Sequence, residues 1–193
     1  MKNVMYLLAI IFLTSSCQQN QQSNSEIGQI YNQKINQITS NDVDENLKKQ
    51  LNEYNNALYG NNSNPRRVLN FIYSDVFTYL KDQNPNNYSE EMVISLLNEP
   101  VLQLKKMAKE NNLKYKMRVG DIVQRVSEGY KLIYKVEIYL DMEYGMEKHT
   151  TGDKILGVSL DNGKNWKFLE ITPETTPVIL RMKFSNNTIS KIM

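Results

Sequence analysis

Only one cysteine, Cys17, occurs among the 193 residues, so no disulfide can close within the chain. There is one histidine, His149, and one tryptophan, Trp166. No metal-ligand spacing, nucleophile motif or phosphate-binding loop is present, and neither a metal nor a cofactor is expected. The net charge is +2, with lysines and glutamates scattered rather than in blocks, which argues against a nucleic-acid partner. No apolar run reaches the ~20 residues that span a bilayer. The surplus of Asn, Lys, Ile and Tyr over Ala and Gly carries no functional meaning.

What is there begins with an address. Lys2 precedes an apolar run from Val4 to Leu13, and small residues follow. This is the layout of a secretory signal. Cys17 comes directly after Thr14-Ser15-Ser16. The segment resembles the lipobox of bacterial lipoproteins, in which the cysteine becomes the acylated N-terminus; Thr14 stands where the family usually has Leu. Acyl chains stabilise a membrane anchor by ~0.8 kcal/mol per buried methylene. The resemblance implies removal of residues 1–16, palmitate-type acylation at Cys17, and a place in the cell envelope. Gln18, in a position where Asp favours inner-membrane retention, points to the outer membrane. The polar stretch that follows reads as a tether, so the expected segments are a signal (1–16), a lipidated cysteine with tether (17–41) and one folded domain (42–193).

From Asp42 the apolar period is helical: Val43, Leu47, Leu51, Tyr54 and Leu58 recur at three and four. Gly60 ends this helix. A second is expected from Pro65, with Asn64 as N-cap and an apolar face from Val68 to Leu80. Ser89 caps a third, which Pro100 interrupts or kinks before it runs to about Asn111. Then the period becomes two. A long strand slips at Gly120-Asp121 as at a bulge, and Leu132, Tyr134, Val136, Ile138, Leu140 and Met142 share one face of the next. Two more strands follow. Residues 177–184 fit a short helix, from Thr176-Pro177, or a strand, from Val178 and Ile179. Helices first and an antiparallel meander afterwards give an α+β class, with the helices on one face of the sheet.

Ser159-x-Asp161-x-Gly163-x-x-Trp166 resembles the Asp-box of sialidase propellers. A propeller needs the unit repeated at a fixed period, and it occurs once. Asp161-Asn162-Gly163 is therefore read as a tight structural turn between the third and fourth strands.

Residues 54–81 and the hairpin at 158–171 resemble the nuclear transport factor and ketosteroid isomerase superfamily, whose helices and bent sheet form a cone. The resemblance is architectural and implies a pocket in the cone. Some family enzymes place an acid near the position of Asp75, which on this chain lies beside the apolar stripe and also fits a cap or surface charge. His149 sits at a strand start and reads as a surface residue. Tyr73, Tyr79, Tyr115, Tyr134 and Tyr139 either line a pocket or fill the core and strand faces. The expectation is a lipid-anchored binding protein without catalysis, taking a small apolar ligand in the cone or a protein partner on the open sheet, such as a toxin neutralised by an immunity-type lipoprotein. An isomerase or hydratase in the cone is the enzymatic alternative.

Overall fold

The computed structural model describes the backbone from Glu26 and the side chains from Asn41. The signal, Cys17 and the start of the tether lie outside the described residues. The chain divides into the units Met1–Asn36 and Gln37–Met193, and the packing below is that of the second.

Helix α1 spans Glu26–Tyr59. It begins ahead of Asp42, inside the stretch assigned to the tether. Leu47, Leu51, Tyr54 and Leu58 form its buried stripe, as their spacing requires. Asn64 caps α2 (Pro65–Val68): its Oδ1 accepts the Arg67 N–H at 3.3 Å, and Pro65 supplies a first residue with no N–H to satisfy.

The single helix expected up to Leu80 is broken. After α2 comes one 3-10 turn (Leu69–Phe71), then extended backbone at Ile72 and Tyr73, then α3 (Ser74–Gln83). The break has a physical cause. Ile72 forms a parallel bridge with Phe168, and the Tyr73 N–H donates to the Phe168 carbonyl at 3.0 Å. An edge strand that would otherwise expose its donors and acceptors gains a partner this way. Helix α4 (Glu90–Glu110) is continuous through Pro100, with the Ser89 hydroxyl accepting the Met92 N–H at 3.0 Å.

Four strands follow: β1 (Lys114–Glu128), β2 (Lys131–Tyr144), β3 (Glu147–Ser159) and β4 (Lys167–Glu170). They form an open antiparallel sheet in the order β1-β2-β3-β4. The register of β1 on β2 shifts between Val119 and Ile122, at the expected Gly120-Asp121 slip. Past the bulge, Leu132, Tyr134 and Val136 face α1, sharing a core with Trp166 and Phe168.

Helices cover both faces of the sheet, not one. Thr176–Leu180 is helix α5, so the start signal at Thr176-Pro177 prevails over the β-branched pair behind it. With α6 (Asn186–Ile192) it covers the opposite face. There Ile133, Leu156, Val158 and Leu169 pack on Ile179, Leu180, Ile189 and Ile192. Ile133 is fully buried although it alternates with the α1-facing set. A strand covered on both sides has no solvent face to mark with polar residues.

Glu128 holds the C-terminal helices to the β1–β2 turn. Its carboxylate accepts from Lys131 at 2.7 Å, from the Thr188 hydroxyl at 2.6 Å, and from the Ser185 hydroxyl and N–H at 2.7 and 2.9 Å. These donors, Lys131 first, hold its pKa far below the ordinary carboxylate value of 4.5. A depressed carboxylate contributes stability that is present above the unfolded-state pKa and is lost as pH falls through the folded one. Glu128→Gln should therefore melt lower than wild type at neutral pH, with the difference shrinking as pH drops below 4.5. Melting curves across pH 3–7 read this out; a gap that stays constant down to the acid end contradicts it.

Candidate functional site

The residues singled out from the sequence do not converge. Cys17 lies outside the described residues. His149 is exposed on β3, 3.5 Å from Glu147. Asp75 is buried in the first turn of α3, not on the surface, and one of its carboxylate oxygens has no hydrogen-bond partner. It lies beside the Tyr73 phenol; burial, and then Asp75, push that phenol far up. No hydrogen bond of ordinary geometry joins the two groups, so the effect on Tyr73 is one of burial and adjacent charge.

Four of the five marked tyrosines go to three places. Tyr73 and Tyr79 belong to the core beneath α5 and α6. Tyr134 packs on Trp166, with ring centroids 5.0 Å apart. Tyr139 lies on the sheet face opposite α1. A Cβ at Gly120 or at Gly152 would collide with its ring, so the two glycines form a seat for it. Arg118 stacks 4.5 Å from that ring and pairs with Asp141 at 3.1 Å. The Tyr139 hydroxyl donates to Glu137 at 2.8 Å.

The Asp-box-like stretch is structural. It occupies the 160–166 connection, wider than the tight hairpin expected, and Asn162 and Gly163 both have positive φ. The Ser159 hydroxyl accepts the Gly163 N–H at 2.9 Å, and Asp161 accepts the Asn165 N–H at 2.9 Å. Two amides of α1 reach across to it. Asn46 donates to the Gly163 carbonyl at 2.6 Å, and Gln50 donates to the Lys164 carbonyl at 3.0 Å while accepting the Trp166 N–H at 2.9 Å.

A different group of residues forms a candidate site, on the α1 side of the sheet. Pairing of Ile155 with Glu170 puts Glu170 on the face that also carries Phe168. Asp153, two residues before Ile155, shares that face, diagonal to Glu170. Tyr54 projects from α1 onto Phe168 and Phe71, with centroids 5.4 and 6.3 Å away. Tyr115 on β1 donates from its hydroxyl to the Tyr59 carbonyl at 3.4 Å.

Electrostatic effects link the groups on this face. Glu170 keeps open surface, yet desolvation by the surrounding protein is the main cause raising its carboxyl, and Asp153 adds to it. Tyr54 is 4% exposed, and its phenol is pushed well above the ordinary range by burial and then by Glu170. Burial, Glu170, Asp153 and Tyr115 raise Tyr59 to about 12. Both phenols thus stay protonated at neutral pH and donate hydrogen bonds rather than accept protons.

No protein-family model matches the chain, and no curated protein matches it.

The sequence did carry a signal for this site that periodicity alone passed over. Glu170 follows Phe168 at a spacing of two, an acid on an otherwise apolar strand face. Among the described residues, no group of three or more His, Cys, Asp or Glu is placed to hold a metal ion. Two grooves lie elsewhere, and most of the charges that line them are paired. The one of about 280 Å³ beside α1 contains Arg125, 2.5 Å from Asp44, and Lys48, 3.5 Å from Asp121. The one of about 410 Å³ beside α2 contains Arg66, 3.4 Å from Glu91.

Gly163→Val tests the reading of the turn. Its φ of +82° is strained for any Cβ-bearing residue, and a Cβ there would meet Val43 at 2.7 Å. Destabilisation of about 1–3 kcal/mol is expected by chemical denaturation. Trp166→Ala should cost about 3–5 kcal/mol, since the ring is 1% exposed. A Gly163→Val protein as stable as wild type contradicts the structural role.

Proposed function

We propose that this protein is a lipid-anchored binding protein of the cell envelope, acylated at Cys17, whose domain binds a small molecule on the sheet face that carries Asp153 and Glu170, beside Tyr59. The observation that carries the binding role is Glu170: an exposed acid on the strand face that otherwise buries Phe168 and Ile155, raised by desolvation. Perturbed carboxyls cluster at functional sites. The protonated phenols beside it supply directional contacts, which suits recognition rather than proton transfer. The order of helices before an antiparallel sheet, with a bulge in β1, supports a cone-like domain of the nuclear transport factor and ketosteroid isomerase kind. The anchor rests on the signal-like segment and the position of the sole cysteine. No helix among the described residues is long and apolar enough to cross a membrane. An outer-membrane address follows from Gln18.

A second reading, a protein partner, is favoured by one observation. Tyr139, seated on Gly120 and Gly152 and covered by Arg118, presents a braced aromatic on the sheet half beyond α6. Aromatic and arginine side chains of this kind dominate protein interfaces. A toxin neutralised by an immunity-type lipoprotein is one partner such a face would serve.

Two measurements check these readings. Full-length protein expressed with labelled palmitate should incorporate label and partition with membranes, and Cys17→Ala should do neither; equal labelling of the two sinks the anchor. A thermal-shift screen of small metabolites should find a chemical class that stabilises wild type and does not stabilise Glu170→Ala. Protection equal in both proteins would move binding away from Glu170. For the second reading, Tyr139→Ala and Arg118→Ala should leave that protection unchanged.

A further inference from the structure

The connection between β3 and β4 holds the chain's one Asn-Gly step, Asn162-Gly163. We infer that Asn162 is a site of spontaneous deamidation that the fold holds closed, with the Ser159 hydroxyl and helix α1 as its two restraints. Asparagine followed by glycine is the pair most open to this reaction, because the glycine nitrogen has no Cβ beside it and its backbone turns freely. An unfolded chain would leave the step unguarded.

The chemistry states what must be guarded. The Gly163 nitrogen, having lost its proton to solvent base, attacks Cγ of Asn162. The N–Cγ bond forms, the Cγ–Nδ2 bond breaks, and the amide nitrogen leaves as ammonia with a proton returned by solvent. The product is a cyclic imide. Water then opens the ring at one carbonyl or the other, leaving Asp or an isoaspartyl residue whose main chain runs through the side-chain carbon. Overall a water enters and an ammonia departs, and solvent is the only co-reactant.

The electrophile is free and the nucleophile is not. Asn162 is exposed, so water and base reach its side chain, while Gly163 is buried. The Gly163 N–H donates to Ser159 Oγ at 2.9 Å. That hydroxyl is itself fixed: Ser159 is 1% exposed and gives its own proton to Asp161 Oδ1 at 2.8 Å. Asp161 in turn accepts the Asn165 N–H at 2.9 Å and the Asn165 side-chain amide at 2.6 Å. Attack requires the Gly163 nitrogen to drop this acceptor and turn toward Cγ, and a buried donor left without a partner is costly.

Three other elements resist the same movement. The Asn162 N–H donates to the Tyr130 carbonyl in the β1–β2 turn at 2.9 Å. From α1, Asn46 donates to the Gly163 carbonyl at 2.6 Å, and Val43 lies where a Cβ on Gly163 would meet it at 2.7 Å. Conversion of Asn162 therefore reads out the opening of the turn and the release of α1 from it, a local event of the kind that precedes global unfolding. An isoaspartyl product cannot close again in the same way. Its lengthened main chain no longer matches the positive φ at 162 and 163.

The test incubates the full chain in mildly alkaline buffer, folded and in urea. The peptide carrying Asn162 is followed by mass, and its isoaspartyl content by an isoaspartyl-specific methyltransferase. Folded wild type should convert at least about tenfold more slowly than the same chain in urea. Ser159→Ala, which leaves the buried Gly163 N–H without its acceptor, should convert about fivefold faster than wild type or more. Asn46→Ala should fall between the two. Asn162→Asp marks the position of the product and should show no conversion. Equal rates for wild type folded and in urea overturn the inference, as does the absence of conversion in urea. A Ser159→Ala protein that keeps its cooperative melt and converts no faster than wild type removes Ser159 as the restraint. Should Ser159→Ala fail to fold, hydrogen exchange of the Gly163 amide in wild type decides: protection is expected, and exchange at the rate of an open amide overturns the proposal.

Discussion

The docking of α1 onto the end of the sheet is the constraint on which the other features depend. Leu47 lies so close to Gly157 that a Cβ on that glycine would stand 2.6 Å from the leucine methyl. Around this contact the side-chain amides of Asn46 and Gln50 satisfy the backbone of the 160–166 connection. Apolar burial holds the helix down, and the amides fix where along the helix it sits, since a hydrogen bond is directional and burial is not. Arg125 and Asp44 add a two-pronged bond at the other edge of the sheet, with the guanidinium 5.7 Å from the Tyr134 ring centroid. Because α1 is held this way, Tyr54, a turn beyond Leu51, is delivered to Phe168, and through Phe168 to the neighbourhood of Glu170.

Much of the fold was legible in the sequence, because it rests on local rules. The caps at Asn64 and Ser89, the end of α1 at Gly60, the slip at Gly120-Asp121 and the α+β order each follow from a few neighbouring residues. The failures share a non-local cause. Nothing between Val68 and Leu80 signals a break, for the hydrogen bond that produces it comes from Phe168, almost a hundred residues on. Ile133 reads as an outward residue until α5 and α6 are seen to cover it. Asp75 fits a family acid, a cap or a surface charge, and its burial follows only once Tyr73 is drawn into the second core.

The candidate site was illegible for a related reason. Its members come from α1, β1, β3 and β4, and no two of the residues that matter most, Tyr54 and Glu170, are close in sequence. Single-residue prominence pointed instead to His149, to Asp75 and to the turn around Asp161, each conspicuous by type or motif. Only Tyr115, among the tyrosines marked in advance, reaches this group, through the Tyr59 carbonyl. What would have helped is the alternation of β4, where the strand that buries Phe168 turns an acid to the same side. A charge on an apolar face has no local explanation, and such mismatches are where sequence consistency gives way to function.

The strand at the free side of the sheet has a consequence for how copies of the chain meet. β1 is 15 residues long and, among the described residues, has no neighbour on its outer side in the sheet, so it is a template on which another chain could extend the ladder. At high local concentration, copies would meet edge to edge far more often than in dilute solution. Two features of β1 discourage that meeting. The bulge breaks the straight run of donors and acceptors at its centre, and Lys114, Lys116 and Arg118 crowd one half with like charge. Two such edges paired in parallel would set cation against cation, and in either direction the ladder would be interrupted at the bulge.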